Sequence, residues 1–387
     1  MNTTASSLPT RDHSAFNVTA LREQFPVLQR EVHGKPLVYL DNAATAQRPL
    51  RVIEAVEGFY RGYNANVHRG VHQLSVEASE AFELAREKVR TGLNARSIRE
   101  IVFTRGTTEG VNLVAQSYLR PRIQQGDEIL VSRMEHHSNI VPWQLLCEQT
   151  GAVLKVIPIN QRGELLVDEL EAMINERTRL IGLVHVSNAL GTVNPVAEVC
   201  RMARERGVAT VIDGAQALPH LAVDVQALGC DFYCLSAHKM YGPTGIGALY
   251  GREELLEAMP PWQGGGEMIT RVSFDQTTYN ELPHKFEAGT PNIAGSIGIG
   301  AAFDFLNDTG IETIAQHEQQ LLDYATERMQ AIDGLTIIGT AAGKGPVIAF
   351  TLEGAAPNPA SSCVFERHNP RRVTFSGPFF LTSYLIS

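Results

Sequence analysis

The stretch from Val208 to Gly247 constrains this chain more than any other. It opens with an apolar run, Val208 to Ile212, that ends on Asp213. It closes on Ser236-Ala237-His238-Lys239 and a glycine-rich turn, Gly242 to Gly247. Taken alone, each residue has an ordinary explanation. Asp before Gly commonly sits in a turn, a lone lysine is usually solvated, and a lone histidine is more often packed than catalytic. Together and in this order they match the needs of a pyridoxal-phosphate enzyme. The lysine forms a Schiff base with the cofactor aldehyde. The strand-end carboxylate keeps the pyridine nitrogen protonated, which makes the ring an electron sink.

The rest of the chain is compatible with such an enzyme. Its 387 residues suffice for a large domain and a smaller one. With 44% hydrophobic and 19% charged residues it has the make-up of a globular protein with a sizeable core. The net charge of −9, with no basic block, argues against nucleic acid or an anionic membrane surface as partner. The five cysteines, Cys147, Cys200, Cys230, Cys234 and Cys363, have neither disulfide-framework nor zinc-site spacing. They read as buried free thiols in a reducing cytoplasm. No apolar run approaches the ~20 residues that span a bilayer. Met1 to Ser14 lacks the apolar core of a signal peptide and reads as a frayed polar terminus.

In chain order, Leu21 to Leu28 is a short amphipathic piece stopped by Pro26. Pro36 to Leu40 is expected to be a strand, followed by the small-residue turn Asp41-Asn42-Ala43-Ala44-Thr45. Helical spacing marks Leu50 to Tyr60 and Leu74 to Leu93, with an irregular loop, Asn66 to His72, between them. From Glu100 strand and helix alternate. Strands are expected at Ile101–Thr104, 128–132, 153–157, 180–186, 208–212, 232–235 and 248–250. This pattern predicts a mostly parallel sheet covered on both faces by helices. A helix from Ile297 to Leu306, an amphipathic helix through Leu321 to Ile332, and strands at 335–338 and 347–352 predict a smaller α+β domain.

The polar candidates cluster at strand ends. Gly106-Thr107-Thr108 starts a helix after a strand, and serves either as an anion site or as a plain N-cap. Met134-Glu135-His136-His137 follows the next strand, and His136 is placed to stack on an aromatic cofactor. Asn188 follows a third and Asp213 a fourth. Open α/β sheets bind ligands along this edge, so the convergence points to one shared site. The adjacent histidines have no third ligand nearby, and no metal site is expected.

The motifs YLDNAATAQ, NVHRGVH, FTRGTTEGVNLVA, MEHHSNIVPW, HVSNALGTVNP, VIDGAQ, SAHKMYGPTGIG, PWQGGGEMI and FEAGTPN run from about Phe25 to about Glu353. With them the chain resembles the group II cysteine desulfurases of the Suf and Csd branch. These are class V aminotransferase relatives with the fold-type-I pyridoxal-phosphate architecture. The resemblance implies a seven-stranded sheet, and it gives the residues roles. Lys239 is the Schiff-base lysine, Asp213 the pyridinium partner, and His136 the ring-stacking residue and proton shuttle. Gln216 bonds the cofactor's phenolic oxygen and Asn188 lies near cofactor and substrate. Thr107, Thr108, Ser236 and His238 hold the phosphate. Thr290 reaches the phosphate of a neighbouring subunit, which implies a homodimer, and His68 lies at the substrate mouth. The implied reaction converts L-cysteine to L-alanine and passes its sulfur, as a persulfide on a separate cysteine, to a Suf- or Csd-type acceptor for iron–sulfur cluster assembly.

The family carries that cysteine in an Arg-x-Gly-His-His-Cys run, together with arginines for the substrate carboxylate. No Gly-His-His-Cys run occurs here. The pattern holds to Glu353, and Ser362 is the furthest residue to which it extends. It then gives way to Cys363-Val364-Phe365-Glu366-Arg367-His368, and Arg371 and Arg372 have no matching context. Cys363 lacks a neighbouring base that would lower its pKa. The apolar ending from Phe379 to Ile386 is β-prone. A reading-frame change or altered terminus would produce such a break. The expected division is a disordered tail over 1–20, a large domain over 21–294, a truncated small domain over 295–362 and an aberrant tail over 363–387. Two other readings stand beside a desulfurase: a selenocysteine lyase-type enzyme that does not need the cysteine, and an inactive cofactor-binding partner in a dimer.

Overall fold

The structure is a computed structural model and describes residues 17–353. The expected aberrant tail over 363–387, with Cys363, Arg371 and Arg372, lies outside the described residues, as do 354–362 of the expected small domain and 1–16 of the tail expected over 1–20, whose last residues instead enter a helix at Val18.

A seven-stranded sheet forms the centre. Its strands are β1 (Ile101–Thr104), β2 (Glu128–Ser132), β3 (Val153–Ile157), β4 (Thr178–Val184), β5 (Ala209–Asp213), β6 (Phe232–Ser236) and β7 (Gly247–Gly251), in the spatial order β1-β7-β6-β5-β4-β2-β3. The neighbours from β3 to β6 pair in parallel. β7 runs antiparallel to both β6 and β1. Every residue of β1, β5, β6 and β7 is buried, as helix-covered faces require. The reversed strand has a positional effect. Gly247 is paired with both Ser236 and Thr104, so the carboxyl ends of β1 and β6 meet on one edge, one strand apart. A Cβ on Gly247 would come within 2.2 Å of the Leu235 carbonyl oxygen and 2.6 Å of the Gly106 Cα. Only glycine permits that approach.

The covering helices include α1 (Leu50–Gly62), α2 (Gln73–Gly92), α3 (Thr107–Leu113), α4 (Val141–Thr150) and α5 (Val196–Glu205). α3 continues as a π-helix over Val114–Leu119. A helix α6 (Ile293–Thr309) and a helix α7 (Ile311–Gln330) follow. α6 begins where the small domain was expected, yet it packs on α1 and α2, and Phe303, Phe305 and Leu306 join the main core. We propose on this packing that the smaller unit begins at Gly310. That unit contains α7 and an antiparallel pair, β10 (Leu335–Ile338) and β11 (Ala349–Leu352), around Leu322, Met329 and Ile348. A hairpin of β8 (Ile269–Val272) and β9 (Thr277–Tyr279) precedes α6.

Two local expectations are corrected. Pro36–Leu40 is not a strand: only Lys35–Pro36 pairs, with Glu31–Val32. The apolar residues beyond it find no ladder partner. Tyr39 instead anchors the segment by donating its hydroxyl to the Thr45 carbonyl at 2.9 Å. Near the start, the helix covers Val18–Glu23, capped by the Asn17 side chain, and Pro26 opens a 3-10 turn over Pro26–Gln29. Proline at a first helical position loses only a donor that has no partner there anyway. Among the described residues no helix is long and apolar enough to cross a membrane.

Candidate active site

Asp213 ends β5 and is 2% exposed. Its Oδ1 accepts the Ala215 N–H at 3.0 Å, and its Oδ2 accepts the Ser138 hydroxyl at 3.2 Å. Ser138 Oγ lies 2.8 Å from His136 Nδ1, which also accepts the Ser138 N–H at 3.2 Å. A polar relay thus runs from a strand-end carboxylate to an imidazole on the loop after β2. That loop is held from beneath by Glu135, whose carboxylate accepts the Val184 N–H at 2.9 Å and the Asn139 amide at 2.7 Å. Buried carboxylates need such donors. Asn139 in turn accepts the Trp143 indole N–H at 2.9 Å, which ties the loop to α4.

Lys239 lies in the 3-10 turn Ala237–Lys239 that follows β6. Burial lowers its pKa, opposed by the Asp213 charge. Burial and the Lys239 charge likewise lower that of His136, again against Asp213. Three groups from β5, β6 and the loop after β2 therefore share one electrostatic neighbourhood. Next to them, burial, Lys239 and Arg48 push His238 down to about 4, so its imidazole is neutral at physiological pH. Its carbonyl accepts the Ala46 N–H at 2.9 Å and the Thr45 hydroxyl at 3.2 Å. The Asp41–Thr45 turn is thereby fastened against the lysine loop. Gln216, 1% exposed, is fastened to the same turn by donating Nε2 to the Ala43 carbonyl at 2.7 Å. Its Oε1 is buried without a partner.

The turn after β1 meets the end of β6. Ser236 Oγ accepts the Thr107 N–H at 2.9 Å and donates to Thr107 Oγ1 at 3.1 Å. Gly106 adopts φ 141°, in the region open to glycine. Thr108, in the first turn of α3, is exposed. Asn188 is half-buried in the turn after β4.

Lys239, His136 and Asp213 are thus brought together. Gln216 and His238 are joined to them through the Asp41–Thr45 turn, and Thr107 and Ser236 meet at the edge. Two expected residues stand apart. Thr290 is exposed in a cleft of about 520 Å³ that it shares with Arg105, Gly245 and Asn292. His68 faces Glu83 and His284 in a cavity of about 180 Å³. The two cavities share Glu287 and Pro291. Sequence reasoning missed Ser138, whose position two residues after His136 was its only signal. It also missed the Thr45 clamp on His238. The His68–Glu83–His284 cluster had no signal, because its members are scattered along the chain.

The four cysteines among the described residues are free. Burial raises the pKa of Cys147, pushes that of Cys200 up to about 12, and drives those of Cys230 and Cys234 well above the ordinary value. None of them is poised as a thiolate.

Residues 38–368 match the model of the aminotransferase class-V family. A probable cysteine desulfurase of Xylella fastidiosa is 54% identical over 86% of this chain and 80% of its own length. Among solved structures, the cysteine desulfurase CsdA of Escherichia coli, an S-sulfonic acid form, is 44% identical, with TM-score 0.81 over 88% of this chain and 84% of that one. An apo cysteine desulfurase from Thermococcus onnurineus is 36% identical, with TM-score 0.83 over the same shares.

Proposed function

The chain belongs to the class V aminotransferase family, in its cysteine desulfurase branch, and from that premise we propose that the edge formed by β1, β5 and β6 binds pyridoxal 5′-phosphate and acts on L-cysteine. The observation that carries the reading is the Lys239–Asp213–His136 neighbourhood, in which a half-buried lysine of lowered pKa lies within reach of a strand-end carboxylate's charge.

The residues suit that cofactor. Asp213 would face its pyridine nitrogen. Gln216 gives one Nε2 hydrogen to the Ala43 carbonyl, and its second would be available to donate to the phenolic oxygen. Thr107, Thr108, Ser236 and His238 would hold the phosphate, with the N-terminal amides of α3 contributing. Thr290 would serve a second subunit's phosphate across a homodimer, which its exposure permits. When bound, the cofactor supplies an electron sink for negative charge at the substrate α-carbon.

The chain's own residues do the remaining work. Lys239 loses its proton more readily than a solvated lysine, because burial disfavours its ammonium form. Its Nζ is therefore suited to take the α-proton of L-cysteine. His136, with Nδ1 committed to Ser138, keeps Nε2 free to exchange a proton. Asp213 is fixed by Ala215 and Ser138, so that its orientation does not depend on the ligand. His68 and Asn188 would border the substrate.

In the complete reaction a cysteine thiol and L-cysteine yield L-alanine and a persulfide. A thiolate attacks the substrate sulfur, the Cβ–S bond breaks, and a proton is delivered to Cβ. The described cysteines do not meet the requirement for a thiolate, and Cys363 lies outside the described residues without the family's flanking run. We therefore infer that this chain builds the cofactor site and has lost efficient sulfur transfer to a Suf- or Csd-type acceptor. Its free thiols suit a reducing cytoplasm.

The test uses the full chain and Lys239→Ala. Cofactor absorption that depends on Lys239, with no sulfide or alanine formed from L-cysteine and a reductant, is expected. Sulfide abolished by Cys363→Ser would show that the tail transfers sulfur. Turnover of L-selenocysteine alone would move the assignment to a lyase. Absence of Lys239-dependent absorption would refute the cofactor site.

A further inference from the structure

We propose that His68, Glu83 and His284 bind one divalent transition-metal ion of the zinc type, with a water from the adjoining cavity as fourth ligand. The three residues come from the loop Asn66–His72, from α2 and from the 3-10 turn His284–Phe286. They each offer a ligand atom, and all three atoms lie within 4.8 Å of one another.

The spacing suits such an ion. Bonds of about 2.0–2.1 Å at tetrahedral angles set two ligand atoms roughly 3.3 Å apart. His68 Nε2 and Glu83 Oε1 are already 3.4 Å apart. The His284 ring stands 5.1 Å from the His68 ring, centroid to centroid, and its ligand atom lies within 4.8 Å of the other two. Two imidazoles and a carboxylate favour zinc, cobalt or nickel over magnesium or calcium, which prefer all-oxygen sets.

The surroundings orient the ligands as metal sites require. Arg86 Nε donates to Glu83 Oε2 at 3.0 Å and its Nη2 reaches Oε1 at 3.4 Å, so Oε2 holds the closer bond and the carboxylate is oriented with Oε1 toward His68. His284 Nδ1 lies 3.9 Å from Glu287 Oε2, a second carboxylate that steers the ring. Arg86 is itself paired with Glu287 at 2.6 and 2.9 Å. With neutral imidazoles, Glu83, Glu287 and Arg86 leave the cluster one negative charge. The cavity of about 180 Å³ bordering His68 and His284 has room for water. Three protein ligands and an open position is the pattern of zinc sites that exchange a ligand.

The full chain, stripped by a chelator and dialysed, is titrated with cobalt(II) in the absence of cysteine. One cobalt per chain, with tetrahedral ligand-field absorption and no thiolate charge-transfer band, is expected, and zinc should displace it. His284→Phe and Glu83→Gln should each weaken binding at least tenfold. His284→Phe keeps an aromatic ring against His68, and Glu83→Gln gives an independent reading if that variant does not fold. No stoichiometric uptake, a thiolate band, or unchanged titrations in folded variants would each overturn the proposal.

Discussion

Removing the Glu287 carboxylate should cost this protein more than any surface charge. The Arg86 side chain on α2 is fully buried. Its guanidinium donates to both Glu287 oxygens, to the Ile101 carbonyl at 2.9 Å and to Glu83. Burial alone would lower the Arg86 pKa, but the charges and hydrogen bonds of Glu287 and Glu83 outweigh it and raise it. Arginine thus stays charged in the unfavourable state and cannot escape by losing its proton. Glu287→Ala leaves that charge with Glu83, which is part-exposed. Breaking one side of a buried pair typically costs about 3–5 kcal/mol. The same carboxylate accepts the Phe103 N–H at 2.7 Å in β1, and an orphaned buried donor adds about 1–3 kcal/mol. Arg86→Met combined with Glu287→Leu removes the buried charge and leaves neutral groups, the Phe103 amide and the Ile101 carbonyl, without these partners, together with the part-exposed Glu83. The double variant should therefore be more stable than Glu287→Ala. Denaturant unfolding followed by far-UV circular dichroism measures both. A Glu287→Ala cost below ~1 kcal/mol, or a double variant less stable than the single, would falsify the account.

Four further outcomes are expected. Burial pulls His185 down to about 4. Its folded pKa lies below the unfolded value, so its contribution to stability is present above about pH 6.5 and is lost as pH falls toward 4. The contribution is up to about 3 kcal/mol by the usual conversion, and comparing unfolding free energy against pH for the parent and His185→Asn should show a shallower acid limb in the variant. Gly247→Ala should destabilise by about 1–3 kcal/mol through overpacking and should weaken cofactor retention, read by equilibrium dialysis with pyridoxal phosphate. Gln216→Leu should shift the absorption maximum of the bound cofactor and leave the fold intact, whereas an unchanged spectrum would remove Gln216 from the ring's surroundings. Ser138→Ala, which cuts the link between Asp213 and His136, should move the pH profile of cofactor absorption without abolishing binding, and an unmoved profile would mean that the relay has no influence on the site.

Much of this architecture was legible because each sheet strand is short, apolar and ended by a turn. Glu128–Ser132 and Val153–Ile157 were read to the residue. Asp213 and Lys239 were legible as candidates because the roles proposed for them require particular residue types at or just past strand ends. Spatial order was not legible, since periodicity within a strand carries no record of which strand lies beside it. Hence the reversal of β7 could not be read from Ala248–Tyr250. Pro36–Leu40 misled for a related reason, since a short apolar run satisfies the pattern of a strand without supplying a pairing partner. α6 was expected in the smaller unit because its sequence says that it is buried, not against what. The His68–Glu83–His284 cluster depends on three segments meeting, and nothing local to any of them announces it.

The position of β7 also bears on the order in which the molecule can assemble. β6 and β7 are joined by one loop, so their pairing is a local event and closes at little entropic cost. Pairing β7 with β1 instead joins segments separated by most of the large unit. Until it occurs, the Thr107 amide has no Ser236 hydroxyl to meet, although the lysine loop and Asp213 can already be in place. A nascent chain would hold its first strand unpaired while five more are synthesised, and the Thr107–Ser236 end of the proposed site could form only after Gly247 had been added. Cofactor capture is then a late event in folding, reporting that the first strand of the sheet has found the last.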